Sequence, residues 1–414
     1  MEGEVVTVRD DGLGPVLADV LAASHRLAPR EIPELVHQAA RRLGLTDARI
    51  YVADLQQREL VALPTPEQAE RLIAEGSIAD LDTLPIDSSL AGRAYRTETA
   101  QLTRCDSDGE DRTGWIPLVD GIGRVGVVRV AAPELDPPLL DRCEALAGLF
   151  AMIVATKRPY SDVLAQTVRT RAMSLQAELQ WAFMPPRTIG TADVTSSAVL
   201  EPAYDVGGDA YDHSLVGRIL HLTLLDAMGH DLASGGCSAV ALAACRSTRR
   251  AGGDLGDIAE QIDRTLERWI PDRLLTCVIA ELDTLSGRLS WINCGHPPPL
   301  LIRDRRIVSG TLERPSHLPL GLTGYPTPRP PVHTAHLQPG DRILLFTDGV
   351  TEARSATGDL LGEDRLADTV VRAMADGLPA PEALRRLIQQ ITDQPGQPLR
   401  DDATILLTEW HPRR

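Results

Sequence analysis

The chain has 414 residues, enough for two or three domains with cores of their own, and carries a formal net charge of −16 with a pI of about 5.1. That balance excludes a nucleic-acid polyanion as the main ligand, because binding a phosphate backbone needs clustered Lys and Arg. Aromatic residues are scarce, so the cores must be built from Ala, Leu, Val and Ile; the basic residues are Arg apart from Lys157, which is a mark of a GC-rich genome and not of function.

The N-terminal MEGEVVTVRD carries no signal-peptide pattern, and the most apolar stretch, 146–155, is far shorter than the roughly 20 residues that span a bilayer. The expectation is a soluble, cytoplasmic protein without membrane contact. Cysteines 105, 143, 237, 245, 277 and 294 form no CxxC pair, and none precedes Arg at the C-x5-R spacing of a cysteine phosphatase. They read as reduced, buried, small hydrophobes, which excludes thiol catalysis.

In chain order, residues 16–42 have helical periodicity, 49–53 reads as a strand and 59–63 as its return. Strands at 115–119 and 124–131 flank Asp120-Gly121, a hairpin signal, and 137–155 reads as a helix. Gly121-Ile-Gly123-Arg-Val-Gly126 matches GxGxxG, but these glycines sit in a hairpin, whereas a dinucleotide fingerprint opens a helix. The stretch IDSSLAGRAYRTETA (86–100), the hairpin IPLVDGIGRVGVVRVA (116–131) and the closing helix resemble a GAF domain over residues 16–156. The resemblance implies a sensory α/β domain that binds a small molecule or a partner, or that dimerises.

Residues 161–184 read as one helix, with Val168, Ala172, Leu175, Leu179 and Ala182 on a/d-like spacing, ended by Pro185-Pro186. Two readings stand for this linker, 158–186: a helix packed on its own domain, or a coiled coil joining a homodimer. Beyond it, strands are expected at 194–202, 218–225, 274–282, 289–293, 300–303, 306–308, 342–346 and 403–410. Helices are expected at 231–249, 258–269, 364–374 and 381–391. Strands with helices inserted between them give an α+β chain with a layered C-terminal domain over 187–414.

Four distant segments of that domain set aspartates beside glycines or at strand ends: EPAYDVGGDAYD (201–212), LHLTLLDAMGHD (220–231), ILLFTDG (343–349) and RDDAT (400–404). Each alone reads as a turn or a solvated loop. Brought together, carboxylates repel unless cations neutralise them, and hard oxygen ligands with no His or Cys cluster suit Mg²⁺ or Mn²⁺. Two such ions can activate a water against a phosphate ester. Gly207-Gly208-Asp209 is similar to a GGDEF signature, but Ala210-Tyr211 stands where Glu-Phe belongs; His213, His221 and His230 are too dispersed for zinc.

The ordered set GGDAYD, LLDAMGHD, INCGHPPPLL, FTDGVTEA and DDATILL resembles the PPM-type Ser/Thr phosphatases, in the bacterial branch of sporulation and general-stress regulators. The resemblance covers about 190–410 and implies an α-β-β-α sandwich with two Mn²⁺ or Mg²⁺ ions at one sheet edge. By it, Asp226 bridges the ions and the Ala227 carbonyl helps hold one. Asp348 and Asp401 complete the first site, Asp209 binds the second, and Asp402 supports. His230 is either a general acid for the leaving oxygen or a positioning or capping residue. Asn293, Gly295 and His296 read as architectural. The resemblance further implies a phosphoserine or phosphothreonine substrate on an anti-sigma-factor antagonist, under control of the N-terminal domain. A non-catalytic scaffold and a two-metal nucleotide phosphodiesterase are the rival readings.

Overall fold

The computed structural model describes residues 12–75, 78–103, 111–322, 328–354, 359–375, 378–393, 399 and 401–412. Cys105 and Arg400 lie outside them. The chain divides into two compact units, Met1–Arg171 and Ala172–Arg414.

The first unit opens with α1 (Leu13–Ser24) and α2 (Ile32–Arg42). They are two helices where the periodicity suggested one, because Pro29 and Pro33 place a break between them. There follow β1 (Asp47–Ala53), β2 (Glu59–Ala62), α3 (Pro66–Glu75), β3 (Thr83–Pro85), α4 (Leu90–Thr97), β4 (Gln101–Leu102), β5 (Arg112–Asp120), β6 (Gly123–Ala132) and α5 (Pro137–Lys157). The six strands form one antiparallel sheet in the order β3-β2-β1-β6-β5-β4. The hairpin closes through Asp120 paired with Gly123, with Gly121 at φ 63°. On β1, Tyr51 and Ala53 pack with Ala91, Ala94 and Tyr95 of α4, while the alternate Ile50 and Val52 are buried on the other face. Helices α2 and α5 also pack on this sheet.

Residues 161–184 do not form the single helix expected of them. They make α6 (Asp162–Thr167) and α7 (Leu175–Phe183), and the boundary between the units falls in the gap. The carbonyl of Val168 accepts from the Leu55 amide, and Ser174 caps a new helix through the Ala177 amide, so no helical ladder crosses 168–174. The apolar spacing from Val168 to Ala182 therefore lies on no common helix face and offers no coiled-coil seam.

The second unit continues with β7 (Thr188–Gly190), β8 (Val194–Glu201), β9 (Asp209–Val216), β10 (Ile219–Ala227), α8 (Leu232–Arg250), α9 (Leu255–Trp269), β11 (Leu275–Asp283) and β12 (Arg288–Cys294). Then come β13 (Leu300–Arg303), β14 (Arg306–Ile307), β15 (His333–His336), β16 (Arg342–Phe346), α10 (Asp348–Glu352), α11 (Gly362–Ala375), α12 (Ala380–Thr392) and β17 (Ala403–Trp410). Two sheets result, β15-β12-β11-β10-β9 and β14-β13-β16-β17-β8-β7.

Three apolar clusters set the layers. Leu220, Leu222, Leu224, Trp291, Ile343, Leu345 and Leu406 fill the space between the sheets. Leu225, Cys237, Ile258 and Ile262 bind α8 and α9 to the first sheet. Phe346, Leu366, Leu384 and Ile405 bind α11 and α12 to the second. The unit is an α-β-β-α sandwich, as the strand-and-helix order predicts. Strand β9 was not legible as a strand, because DAYDHSLV breaks the apolar alternation with inner-face polar groups. Among these, His213 and Ser196 share a buried hydrogen bond of 3.0 Å, which Thr408 extends.

Candidate active site

The two-residue period of a strand decides where the acids point. Leu220, Leu222 and Leu224 face the other sheet, so Asp226 does too. Tyr211 does the same for Asp209, and Asp226 pairs directly with Asp209 across β10 and β9. On the second sheet, Ile343 and Leu345 place Thr347 inward, and Leu406 places Thr404 inward. Both sheets thus end at one edge with polar side chains turned into the gap between them.

Asp209 is almost fully buried, and its Oδ2 accepts from Thr347 Oγ1 at 2.7 Å and Thr404 Oγ1 at 2.6 Å. The Thr404 amide also donates to Thr347 Oγ1 at 2.9 Å. One carboxylate and two hydroxyls therefore tie the sheets together at the site. Asp402 closes the floor: its Oδ2 accepts from the amides of Gly207 (2.9 Å), Gly208 (2.7 Å) and Asp209 (3.1 Å).

The glycines are required by close approach. A Cβ on Gly208 would strike the carbonyls of Ala227 and Gly229, one on Gly207 the backbone of His230, and one on Gly349 the carbonyl of Asp402. Gly349 keeps a negative φ inside α10, so the Thr-Asp-Gly segment is a strand-to-helix junction and not the turn that Asp-Gly suggests. Glycine is there because the 401–402 loop lies against it.

The acids in this pocket repel one another. Burial, then Asp348, Asp401 and Asp402, push the Asp226 carboxyl up to about 7. Burial, then Asp226 and Asp402, raise Asp209 well above the usual carboxylate range, against the two threonine hydrogen bonds. Burial, Glu352 and Asp401 raise Asp348. Asp226, Asp348 and Asp401 are the more open members, with Asp348 and Asp401 exposed. As the side chains stand, no group of three or more His, Cys, Asp or Glu among the described residues is gathered at metal-holding spacing. The all-oxygen donor set and the mutual repulsion are nonetheless what a hard divalent cation would relieve.

Of the three acids around Gly207-Gly208, only Asp209 joins the site. Asp212 points to the outer face, where Arg246 and Arg249 hold it at 2.7 Å each. Asp205 accepts from Gln176 at 3.1 Å. His230 is exposed on the loop after Asp226, while Asp231 caps α8 through the Ser234 amide. His296 is buried; its Nδ1 meets Thr276 Oγ1 at 2.7 Å, and burial drives its pKa down to about 3. Asn293 and the His296 backbone exchange two hydrogen bonds, at 2.8 and 2.9 Å, which knots the Asn-Cys-Gly-His segment.

Sequence reading missed the α7 clamp. Gln180 Nε2 donates to the Asp209 carbonyl at 2.8 Å and the Gly207 carbonyl at 3.3 Å, Trp181 Nε1 to the Ala203 carbonyl at 2.7 Å, and the Ser174 amide to the Tyr204 carbonyl at 2.9 Å. Thr347 was missed as well, although the inward parity of Ile343 and Leu345 was available to find it.

Residues 217–411 match the family described as Stage II sporulation protein E (SpoIIE). The match lies within the C-terminal unit and spans just under half of the chain. The chain is similar to the phosphoserine phosphatase RsbU of Bacillus subtilis, 22% identical over 292 residues that cover 68% of this chain and 84% of that protein. It is also similar to protein IcfG of Synechocystis, 23% identical over 279 residues, 58% of this chain and 43% of that protein, so it spans less than half the length of that relative. Among solved structures it is similar to the RsbU and RsbW domains of Rv1364c from Mycobacterium tuberculosis, with TM-score 0.46 and 23% identity, covering 55% of this chain and 63% of that one. No described helix is long and apolar enough to cross a membrane.

Proposed function

We propose that the chain is a metal-dependent protein Ser/Thr phosphatase. The observation that carries this reading is the pairing of Asp226 with Asp209 at the sheet edge, with Asp402 holding the 207–209 amides beside them and Asp348 and Asp401 near enough to repel the Asp226 carboxylate. Asp226, Asp348, Asp401 and the Ala227 carbonyl would hold one Mn²⁺ or Mg²⁺ and Asp209 a second. When bound, the ions neutralise the acids, polarise the phosphoryl group and make water a stronger nucleophile. The chain's own residues do the rest. Asp402 fixes the 207–209 loop, Thr347 and Thr404 fix Asp209, and His230 stands on the loop beside Asp226 as the group to protonate the departing seryl or threonyl oxygen.

The substrate we propose is a phosphoserine or phosphothreonine on an anti-sigma-factor antagonist; the name of the RsbU relative, a phosphoserine phosphatase, supports the phosphoserine part of this reading. We assign residues 16–156 as a GAF-like sensory domain that takes a small molecule or a protein, and 187–414 with α7 as the effector. A signal from that domain would reach Asp209 through α7, since Gln180 and Trp181 grip the segment that delivers it. Full-length Gln180→Ala should then change basal activity and its response to the signal.

The deciding experiment is phosphate release from a phosphoserine antagonist protein, titrated with Mn²⁺, for wild type and Asp226→Asn. Release that needs the metal and is lost in the variant supports the reading. Metal binding without release from phosphoprotein leaves a scaffold, and turnover of cyclic dinucleotides alone leaves a phosphodiesterase.

A further inference from the structure

The acids of the site leave one requirement open. A phosphoryl group arrives as a dianion among carboxylates, and none of the residues named above is a fixed cation that faces it. Arg273, between α9 and β11, is placed to be one. Its Nη1 donates to the Met228 carbonyl at 3.1 Å and its Nη2 to Asp231 Oδ2 at 2.9 Å, so the guanidinium lies along the 226–231 loop that starts at Asp226.

The loop is shaped for it. Gly229 has φ +94°, and a Cβ there would come 3.2 Å from Arg273 Nη1. Gly321 lies so close to the backbone of Arg273 that a Cβ there would strike the Arg273 carbonyl. The side chain keeps 26% of its surface exposed, and Met228, Gly229 and His230 beside it are exposed too. A guanidinium has five N–H donors, and the two contacts among the described residues use two of them. The Asp231 partner is 58% exposed, so it does not strongly neutralise the fork.

We infer that Arg273 binds a phosphoryl oxygen of the substrate, a role that rests on the phosphatase reading above. The planar fork suits two oxygens of one phosphate, which a point charge on Lys matches less well. The competing role is a strut that only holds the 226–231 loop.

The test uses the full-length protein as wild type, R273Q, R273K and D231N. Binding of inorganic phosphate is measured by calorimetry with and without Mn²⁺, and kcat and KM are measured on a phosphoserine protein and on p-nitrophenyl phosphate. A charge-assisted hydrogen bond predicts about tenfold or greater loss of phosphate affinity and a similar rise in KM for R273Q, with kcat within about threefold of wild type. R273K should recover part of the affinity, and D231N should bind phosphate as well as wild type or better. Wild-type phosphate affinity in R273Q, no phosphate binding by wild type, or parallel losses in R273Q and D231N would each overturn the assignment. Phosphate binding that needs Arg273 without hydrolysis of any ester would sink the phosphatase reading and leave the anion site; hydrolysis with an unchanged R273Q KM would do the reverse.

Discussion

Asp402→Ala removes the acceptor on which three amides depend. The Asp402 side chain is buried, and the amides of Gly207, Gly208 and Asp209 all point at its Oδ2. Each buried donor left unmade costs about 1–3 kcal/mol, or roughly 3–9 kcal/mol for three. Two effects work against that: the loop can relax toward water, and the variant removes a charge that repels Asp226 and Asp209. A net loss of about 3 kcal/mol is expected, a fall of about 6–12 °C in the melting temperature of a unit this size. Asp402→Asn keeps an oxygen for the amides and loses only the charge, so its metal-free stability should stay within about 1 kcal/mol of wild type. Calorimetric melting of the metal-free proteins separates the two. If Asp402→Asn falls as far as Asp402→Ala, the charge and not the three-amide nest holds the loop, and the reasoning is wrong.

Three further outcomes are expected. Gly349→Ala should push the 348–352 helix off the Asp402 carbonyl, costing about 1–3 kcal/mol and most of the phosphate release, read by melting and turnover. Arg249→Met leaves Asp212 buried with one cation in place of two, and should cost about 1.5–3 kcal/mol in urea unfolding, the worth of one charge-assisted hydrogen bond and more than a surface pair. His296 refuses a proton that the unfolded chain accepts: burial holds its folded pKa at about 3, against an unfolded value of 6.5. Its contribution is therefore present above pH 6.5 and lost as pH falls toward 3, at up to about 1.4 kcal/mol per pH unit. Stability against pH for wild type and His296→Gln should differ by that slope; equal slopes would show that His296 does not carry it. Burial lowers His213 in the same direction, so some acid sensitivity should survive in the variant.

Much of the C-terminal unit could be read in advance because its signals are local. Apolar runs, Gly and Pro punctuation and short inter-strand turns locate most of the strands, and the acids at strand ends stand out against the apolar residues before them. Even the inward direction of Asp226 follows from the parity of Leu220, Leu222 and Leu224. The order of the acidic motifs was enough to suggest the family.

Other properties depend on contacts between residues far apart in the chain, which no local pattern encodes. Residues 161–184 have the periodicity of one helix, yet Leu55 captures the Val168 carbonyl and Ser174 starts a second helix. Asp205, Asp209 and Asp212 look equivalent around two glycines, yet only Asp209 meets Thr347 and Thr404, while the arginines of α8 draw Asp212 to the opposite face. Gly349 looks like a turn glycine until the carbonyl of Asp402, fifty-three residues on, is seen to fill the space a Cβ would need. The sequence by itself determined which residue types reach the sheet edge; tertiary packing decided which of them meet, because burial and hydrogen-bond partners are properties of the closed sandwich and not of any segment of it.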